Sequence, residues 1–149
     1  MPSLPPLDHI GYVVPDVAEA VTELQSLHGL RDSRGTFDAR WEDALLRQDR
    51  VCFGARYHFL TLGTTDLEVI APIGDDPSPY REFLDAGGLG MHHLAFVVPS
   101  IDEHLAARSG LNVVLDARLQ PDGRFVYVEG LLAGVLVELI QMPSLPPAP

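Results

Sequence analysis

Two short segments of this chain repeat one pattern and hold a histidine at the same place in it. Asp8-His9-Ile10-Gly11-Tyr12-Val13-Val14-Pro15-Asp16 aligns with His92-His93-Leu94-Ala95-Phe96-Val97-Val98-Pro99-Ser100: His, Val, Val and Pro coincide, and Ile/Leu, Gly/Ala and Tyr/Phe exchange like for like. The β-branched and aromatic content marks each copy as a strand. Because side chains alternate along a strand, His9 shares a face with Gly11 and Val13, and His93 sits in the same phase of its copy. His92 is then expected to face the other way.

Two acids follow the same logic. Glu68 interrupts the apolar run Leu67-Glu68-Val69-Ile70, and Glu138 interrupts Val135-Leu136-Val137-Glu138-Leu139-Ile140. Burying even a neutral polar group without a partner costs about 2 to 7 kcal/mol, and an ionised carboxylate costs more. A divalent cation shared by both acids and both histidines would remove that cost. Two imidazoles and two carboxylates suit Zn²⁺, Ni²⁺, Co²⁺, Mn²⁺ or Fe²⁺ and leave one or two positions for water or substrate. The expectation is one divalent metal ion held by His9, Glu68, His93 and Glu138.

The elements that must position these four residues also repeat. Each histidine strand ends at a proline that starts a helix. Val17, Ala20, Val21, Leu24 and Leu27 recur at helical spacing, with Asp16 as N-cap and Gly29 as stop, which predicts a helix over Asp16 to His28. Ile101, Leu105 and Ala106 predict a shorter one beginning at Ser100 and stopping near Gly110. Strands are expected over Arg56 to Leu62 and Leu67 to Ala71, then over Asn112 to Leu119, Arg124 to Val128 and Val135 to Gln141. Turn signals separate them. Thr36 to Arg50 is ambiguous between a rim or lid of the site and a plain surface helix.

The organisation is therefore a proline-rich tail over 1–6, a βαβββ module over 7–73, a linker with a short helix (Tyr80 to Ala86) over 74–91, a second βαβββ module over 92–142 and a second proline-rich tail over 143–149. The tails share the pentapeptide Pro-Ser-Leu-Pro-Pro. The fold class is α+β, two tandem modules forming one cupped mixed sheet.

Composition narrows the function classes. At 149 residues the chain suits one domain or two half-size modules with a common core. Ten basic residues against 21 acidic ones leave a formal charge of −11, which opposes approach to phosphate backbones and anionic lipid. Nucleic acid and membranes are thus excluded as partners, and a small-molecule substrate is expected; Arg31, Arg34, Arg40, Arg50, Arg56 and Arg124 could still form a local positive patch. A single cysteine, Cys52, cannot form an internal disulfide and suits a reducing compartment. With no signal-peptide pattern and no apolar run near the roughly 20 residues of a membrane span, the expected location is cytoplasmic. A homodimer is expected, because half-modules leave sheet edges to be covered.

The segments LDHIGYVVPDV, TDLEVIAP, GMHHLAFVVPSID and GVLVELIQMP resemble the vicinal oxygen chelate superfamily, which includes glyoxalase I, methylmalonyl-CoA epimerase, extradiol dioxygenases and bleomycin-binding proteins. The resemblance spans about Leu7 to Pro143 and is nearest the glyoxalase and methylmalonyl-CoA epimerase-like branch. It implies the glyoxalase/bleomycin resistance/dioxygenase fold, with metal ligands on the first and last strands of each module, here His9, Glu68, His93 and Glu138. The epimerase pattern differs in having Gln or a related oxygen ligand where Glu68 stands. It also has a further carboxylate base near Gln48-Asp49-Arg50-Val51, where Asp49 is the one acid available.

The leading expectation is proton transfer next to a carbonyl on a small substrate, a thioester among the options, by an epimerase, isomerase or glyoxalase-type lyase. Glu138 is the first choice of catalytic ligand and base, and Glu68 the second. One rival is an Fe²⁺ extradiol-type dioxygenase, which needs only two histidines and one carboxylate. Another is a metal-free binding module of the bleomycin-resistance kind, its cup walled by Phe37, Trp41, Tyr57, Phe59 and Phe125.

Overall fold

In the computed structural model, which describes residues 2–146, eight strands close into a barrel with three helices outside it. The order along the chain is β1 (His9–Val13), α1 (Val17–His28), β2 (Arg31–Leu46), β3 (Asp49–Leu62), β4 (Thr65–Ile73), α2 (Pro79–Asp85), β5 (Gly90–Val97), α3 (Ile101–Ala106), β6 (Asn112–Leu119), β7 (Gly123–Leu132) and β8 (Val135–Gln141). Around the barrel the strands run β1-β4-β3-β2-β6-β7-β8-β5, so each βαβββ half is a contiguous block. The expected proline tails fall partly outside the described residues, at Met1 and at 147–149. Of the rest, Leu4 packs against the apolar cluster beneath α3.

Three apolar clusters explain why the strands carry few polar residues. One fills the barrel and includes Val13, Phe53, Tyr57, Ile70, Tyr80, Ala95, Phe125 and Tyr127. The second joins Leu60, Leu67, Val69 and Ala71 on the outer wall to Val17 and Val21 of α1, and the third joins Phe96, Val126, Val137 and Leu139 to Ile101 of α3. Each such side chain stabilises by about 1.5–3 kcal/mol when taken out of water. With both faces covered, β4 and β8 need near-continuous apolar sequence, and Glu68 and Glu138 stand out against it. Asp16, Ser78 and Ser100 cap the three helices, each accepting a backbone N–H at 3.0–3.3 Å, and Gly29 ends α1 at φ 66.

Thr36 to Arg50 is not a surface helix, and its Phe37, Ala39 and Trp41 stand in the wall of the barrel's cavity. It belongs to the long hairpin of β2 and β3, turning at Arg47 and Gln48 with φ of 46 and 71, as a two-residue type I′ turn requires. Glu42, Ala44 and Leu45 are helix-forming residues, but pairing with β3 overrides local propensity. Phe37, Ala39 and Trp41 alternate inward against the barrel core. Closure between β2 and β6 rests on two residue pairs, Leu45 with Asp116 and Leu46 with Leu115, so most of β2 pairs on its β3 side alone.

The two halves meet along β1 and β5, which run antiparallel, with His9 opposite Ala95 and His93 opposite Gly11. Each histidine thus faces the small residue of the other repeat. The pairing slips between Gly11 and Tyr12, so that Tyr12 meets Met91 and His92 bulges. A bulge breaks the alternation of faces. His92 therefore does not point outward as expected but packs inward against Tyr80 and Tyr127, with ring centroids 5.7 and 5.5 Å away.

A Cβ added at Gly11 would fall within the imidazole of His93. Gly11→Ala is expected to destabilise the fold by roughly 1–3 kcal/mol in urea denaturation and to displace His93. Its counterpart Ala95→Gly should cost at most about 1 kcal/mol. Equal effects of the two substitutions would contradict this packing account.

Candidate metal centre

Four neighbouring strands each present one polar side chain to the barrel interior. His9 comes from β1, Glu68 from β4, His93 from β5 and Glu138 from β8, and in the ladders Glu68 lies beside Gly11 while Glu138 lies beside Ala95. The small residue in each half makes room for the carboxylate next to it. One potential ligand atom from each of the four lies within 4.8 Å of the others, and all four residues are buried.

The contacts are close without being satisfied. Nε2 of His9 is 3.2 Å from Glu138 Oε2 and 3.5 Å from Glu68 Oε2; Nε2 of His93 is 3.1 Å from Glu138 Oε2 and 3.9 Å from Glu68 Oε1. Yet His9 Nε2, His93 Nε2 and Glu138 Oε2 have no aligned hydrogen bond. Buried polar atoms left so are uncommon, and here three of them converge. The donor set, neutral imidazole with carboxylate oxygen, fits a divalent first-row cation or Zn²⁺ and offers nothing to a thiolate-seeking one.

Neighbouring side chains hold both rings for that task. The far nitrogen of His9, Nδ1, is 2.8 Å from Asp8 Oδ2, and Nδ1 of His93 is 2.9 Å from Nδ1 of His92. When Nδ1–H donates in each pair, Nε2 keeps its lone pair for a ligand, the usual arrangement around metal-bound histidine. In both repeats the orienting group is the residue just before the histidine.

Burial opposes charge on His9, but the closely placed carboxylates of Glu138, Glu68 and Asp8 outweigh it and raise its pKa to about 10. Glu68 is raised to about 8 by burial, with Glu138 adding repulsion that the His9 charge only partly offsets. For Glu138 burial acts upward too, yet the close approach of His93 and His9 outweighs it and brings it down to about 2. Burial and the adjacent His93 push His92 down to about 3, so it stays neutral. Without a cation, the cluster holds Glu138 ionised, His9 charged and Glu68 protonated at neutral pH.

His9, Glu68 and Glu138 of the cluster line a cavity of about 550 Å³, with His93 buried behind them. Trp41, Tyr57, Phe59 and Phe125 line it, together with Phe37; Asp49 does not, because it begins β3 at the exposed hairpin turn. Arg34 stands in its lining as the one basic residue, its guanidinium 4.3 Å from the centre of the Phe37 ring. Arg40, Arg50, Arg56 and Arg124 instead pair with acids. Sequence reasoning missed Asp8 and His92 as orienting groups and Tyr80 as cavity wall. The repeat itself carried a signal for the first two; nothing local marks Tyr80, which arrives from α2. A second cavity of about 560 Å³, lined by Arg47, Glu82, Phe83, His92 and Leu136 among others, contains none of the four clustered residues.

The profile of the Glyoxalase/Bleomycin resistance protein/Dioxygenase superfamily matches residues 8–128. A Bacillus subtilis relative, the uncharacterized protein YqjC, is 31% identical over 141 residues, covering 91% of each chain. Among solved structures, methylmalonyl-CoA epimerase from Mycobacterium tuberculosis superposes with a TM-score of 0.67 at 22% identity, covering 97% of this chain and 94% of its own. A Streptomyces coelicolor methylmalonyl-CoA epimerase variant in complex with 2-nitronate-propionyl-CoA gives 0.66 at 21% identity, covering 95% and 100%. At these identities the structures establish a common fold.

The pKa shifts set a pH dependence for the metal-free protein. Glu68 and His9 bind protons more tightly folded than unfolded, so stability is lost as pH rises from 4.5 to about 8 through Glu68 and from 6.5 to about 10 through His9. Glu138 acts oppositely, losing its contribution as pH falls from 4.5 towards about 2, and His92, held neutral in the fold, likewise loses stability as pH falls from 6.5 towards about 3. Between 4.5 and 6.5 the opposed slopes of Glu68 and His92 offset each other, so after chelator treatment the urea midpoint is expected to stay level from about pH 5 to 6.5 and to fall from there to pH 9. A midpoint that is flat or rising between pH 6.5 and 9 would contradict these charge states.

Proposed function

The chain belongs to the Glyoxalase/Bleomycin resistance protein/Dioxygenase superfamily, and we propose that within it the chain is a divalent-metal-dependent enzyme that moves a proton next to a carbonyl group. The observation that carries this reading is the convergence of four buried ligand atoms within 4.8 Å, three of them without an aligned partner, on residues of which His9, Glu68 and Glu138 line an aromatic cavity. A metal-free binding module would have no use for two carboxylates placed there at such cost. A ring-cleaving dioxygenase site would need one carboxylate rather than two.

His9, Glu68, His93 and Glu138 would hold the cation, which when bound would act as a Lewis acid on a carbonyl oxygen and so acidify the adjacent C–H. The chain's own groups divide the remaining work. Glu138 touches both imidazoles at 3.1–3.2 Å and is the anchoring carboxylate. Glu68 stands farther from them, at 3.5 and 3.9 Å, and lines the cavity, so it is the carboxylate freer to turn towards a substrate C–H. This reverses the ranking drawn from sequence and favours Glu68 as base. The cavity wall offers no further carboxylate apart from Asp8, which holds His9.

The aromatic walls would exclude water from the carbanion and hold an apolar stretch of substrate. Arg34 at the lining supports an anionic group elsewhere on it. An acyl thioester bearing a carboxylate or phosphate meets all three requirements, and the epimerase of similar fold captured with 2-nitronate-propionyl-CoA makes methylmalonyl-CoA the first compound to try.

Three measurements test the proposal. Protein purified without chelator should hold about one equivalent of a divalent metal, and loading the metal-free protein at pH 7 should release about two protons, from His9 and Glu68, read by calorimetry in buffers of different ionisation enthalpy. Glu138→Gln is expected to lose the metal. Glu68→Gln is expected to keep it and to slow α-proton exchange into D₂O by 10²-fold or more, on a panel of acyl-CoA thioesters and hemithioacetals followed by NMR. Full exchange in Glu68→Gln would rule it out as the base.

A further inference from the structure

Three tyrosine hydroxyls meet beneath the cavity. Tyr127 Oη lies 2.7 Å from Tyr80 Oη, Tyr80 Oη lies 3.3 Å from Tyr57 Oη, and the indole N–H of Trp41 donates to Tyr57 Oη at 3.0 Å. Each phenol carries one proton, and an indole N–H can only donate. Three hydroxyl protons serve two hydroxyl–hydroxyl links, so one proton is left over. Where it sits is decided by burial.

If the run went from Tyr57 through Tyr80 to Tyr127, the left-over proton would sit on Tyr127, which is 0% exposed and does not reach the cavity. An orphaned donor there would cost as much as a lost hydrogen bond. If Tyr57 and Tyr127 both donated to Tyr80, the proton would sit on Tyr80, at 1% exposure, and the head-to-tail polarisation of the run would be lost. Running from Tyr127 through Tyr80 to Tyr57 avoids both costs. Tyr57 then accepts from Trp41 and Tyr80, and its own O–H is free at the wall it shares with Glu68 and Glu138. Phe37 stacks on the Tyr57 ring at 5.4 Å and holds it in place. Burial keeps the phenol protonated throughout the working pH range.

We propose that the Tyr57 hydroxyl donates a hydrogen bond to an oxygen of the bound substrate, a carbonyl or carboxylate oxygen, as a second point of attachment beside the four-residue cluster. The assignment rests on the reading of this cavity as the substrate site. It adds a requirement that the substrate carry an oxygen acceptor within reach of β3, two residues along from Phe59, which pairs with Glu68. Tyr80, whose hydroxyl is engaged on both sides, and Tyr127, outside the cavity lining, act as positioning residues through the polarity they impose.

The experiment has two arms. In wild-type protein labelled with ¹³Cζ-tyrosine, hydroxyl exchange read from the deuterium isotope shift should show Tyr80 and Tyr127 slow and Tyr57 fast. In zinc-loaded protein, Tyr57→Phe should weaken oxalate binding by about tenfold while zinc affinity changes less than about twofold. A slow Tyr57 hydroxyl with a fast one at Tyr127, or unchanged oxalate affinity in zinc-loaded Tyr57→Phe, would overturn the assignment. Wild-type protein that takes up no zinc would defeat the metal reading instead, and the exchange pattern would still decide this one.

Discussion

Two carboxylates and two imidazoles brought within 4.8 Å inside an apolar wall cannot all keep the charges they carry in water. Without a cation, the cluster reaches balance by moving protons: Glu68 takes one up, His9 retains one, and Glu138 stays ionised between the two rings. Such a cluster is poised to exchange protons for a metal ion, because each ligand must be deprotonated to bind one. Much of the barrel can be understood as the structure that holds these four groups together against their own repulsion and desolvation.

The means of holding them is repeated twice. In each half a parallel pair, β1 with β4 and β5 with β8, sets a histidine strand beside a glutamate strand, and the antiparallel β1–β5 seam joins the halves. Gly11 and Ala95 occupy equivalent places and make the close approach possible, each facing the other half's histidine and flanking its own half's glutamate. The symmetry is imperfect where the chemistry is asymmetric. Asp8 holds His9 with a carboxylate, whereas a bulge turns His92 inward to hold His93 with a neutral ring. A carboxylate partner makes an imidazole the stronger donor, so the two halves offer a cation unequal nitrogens.

Beside this cluster the cavity wall is aromatic, and its few polar atoms are tied to one another. Trp41, Tyr57, Tyr80 and Tyr127 form one hydrogen-bonded run drawn from β2, β3, α2 and β7. A run of that kind orders the rings and leaves little freedom for water. Arg34 on Phe37 is the exception, a positive charge at the cavity of a chain that is otherwise strongly acidic.

The repeat of histidine strands, the two helices that follow them, and the strands ending in Glu68 and Glu138 were legible in the sequence because each rests on local physics: alternation, capping, and the cost of a carboxylate in an apolar run. The membership of one superfamily was legible for the same reason, through the motifs those elements carry. What the sequence could not determine depends on which strand lies beside which. The β2–β3 hairpin overrode the helical propensity of Glu42 to Leu45, and the bulge that turned His92 inward exists only in the pairing of β5 with β1. Asp49 was near in sequence and is far in space, while Tyr80 came to the cavity wall, and Tyr127 to the place behind it, from distant elements that no spacing rule connects. Local pattern decides what each segment is. Only closure of the barrel decides what it meets.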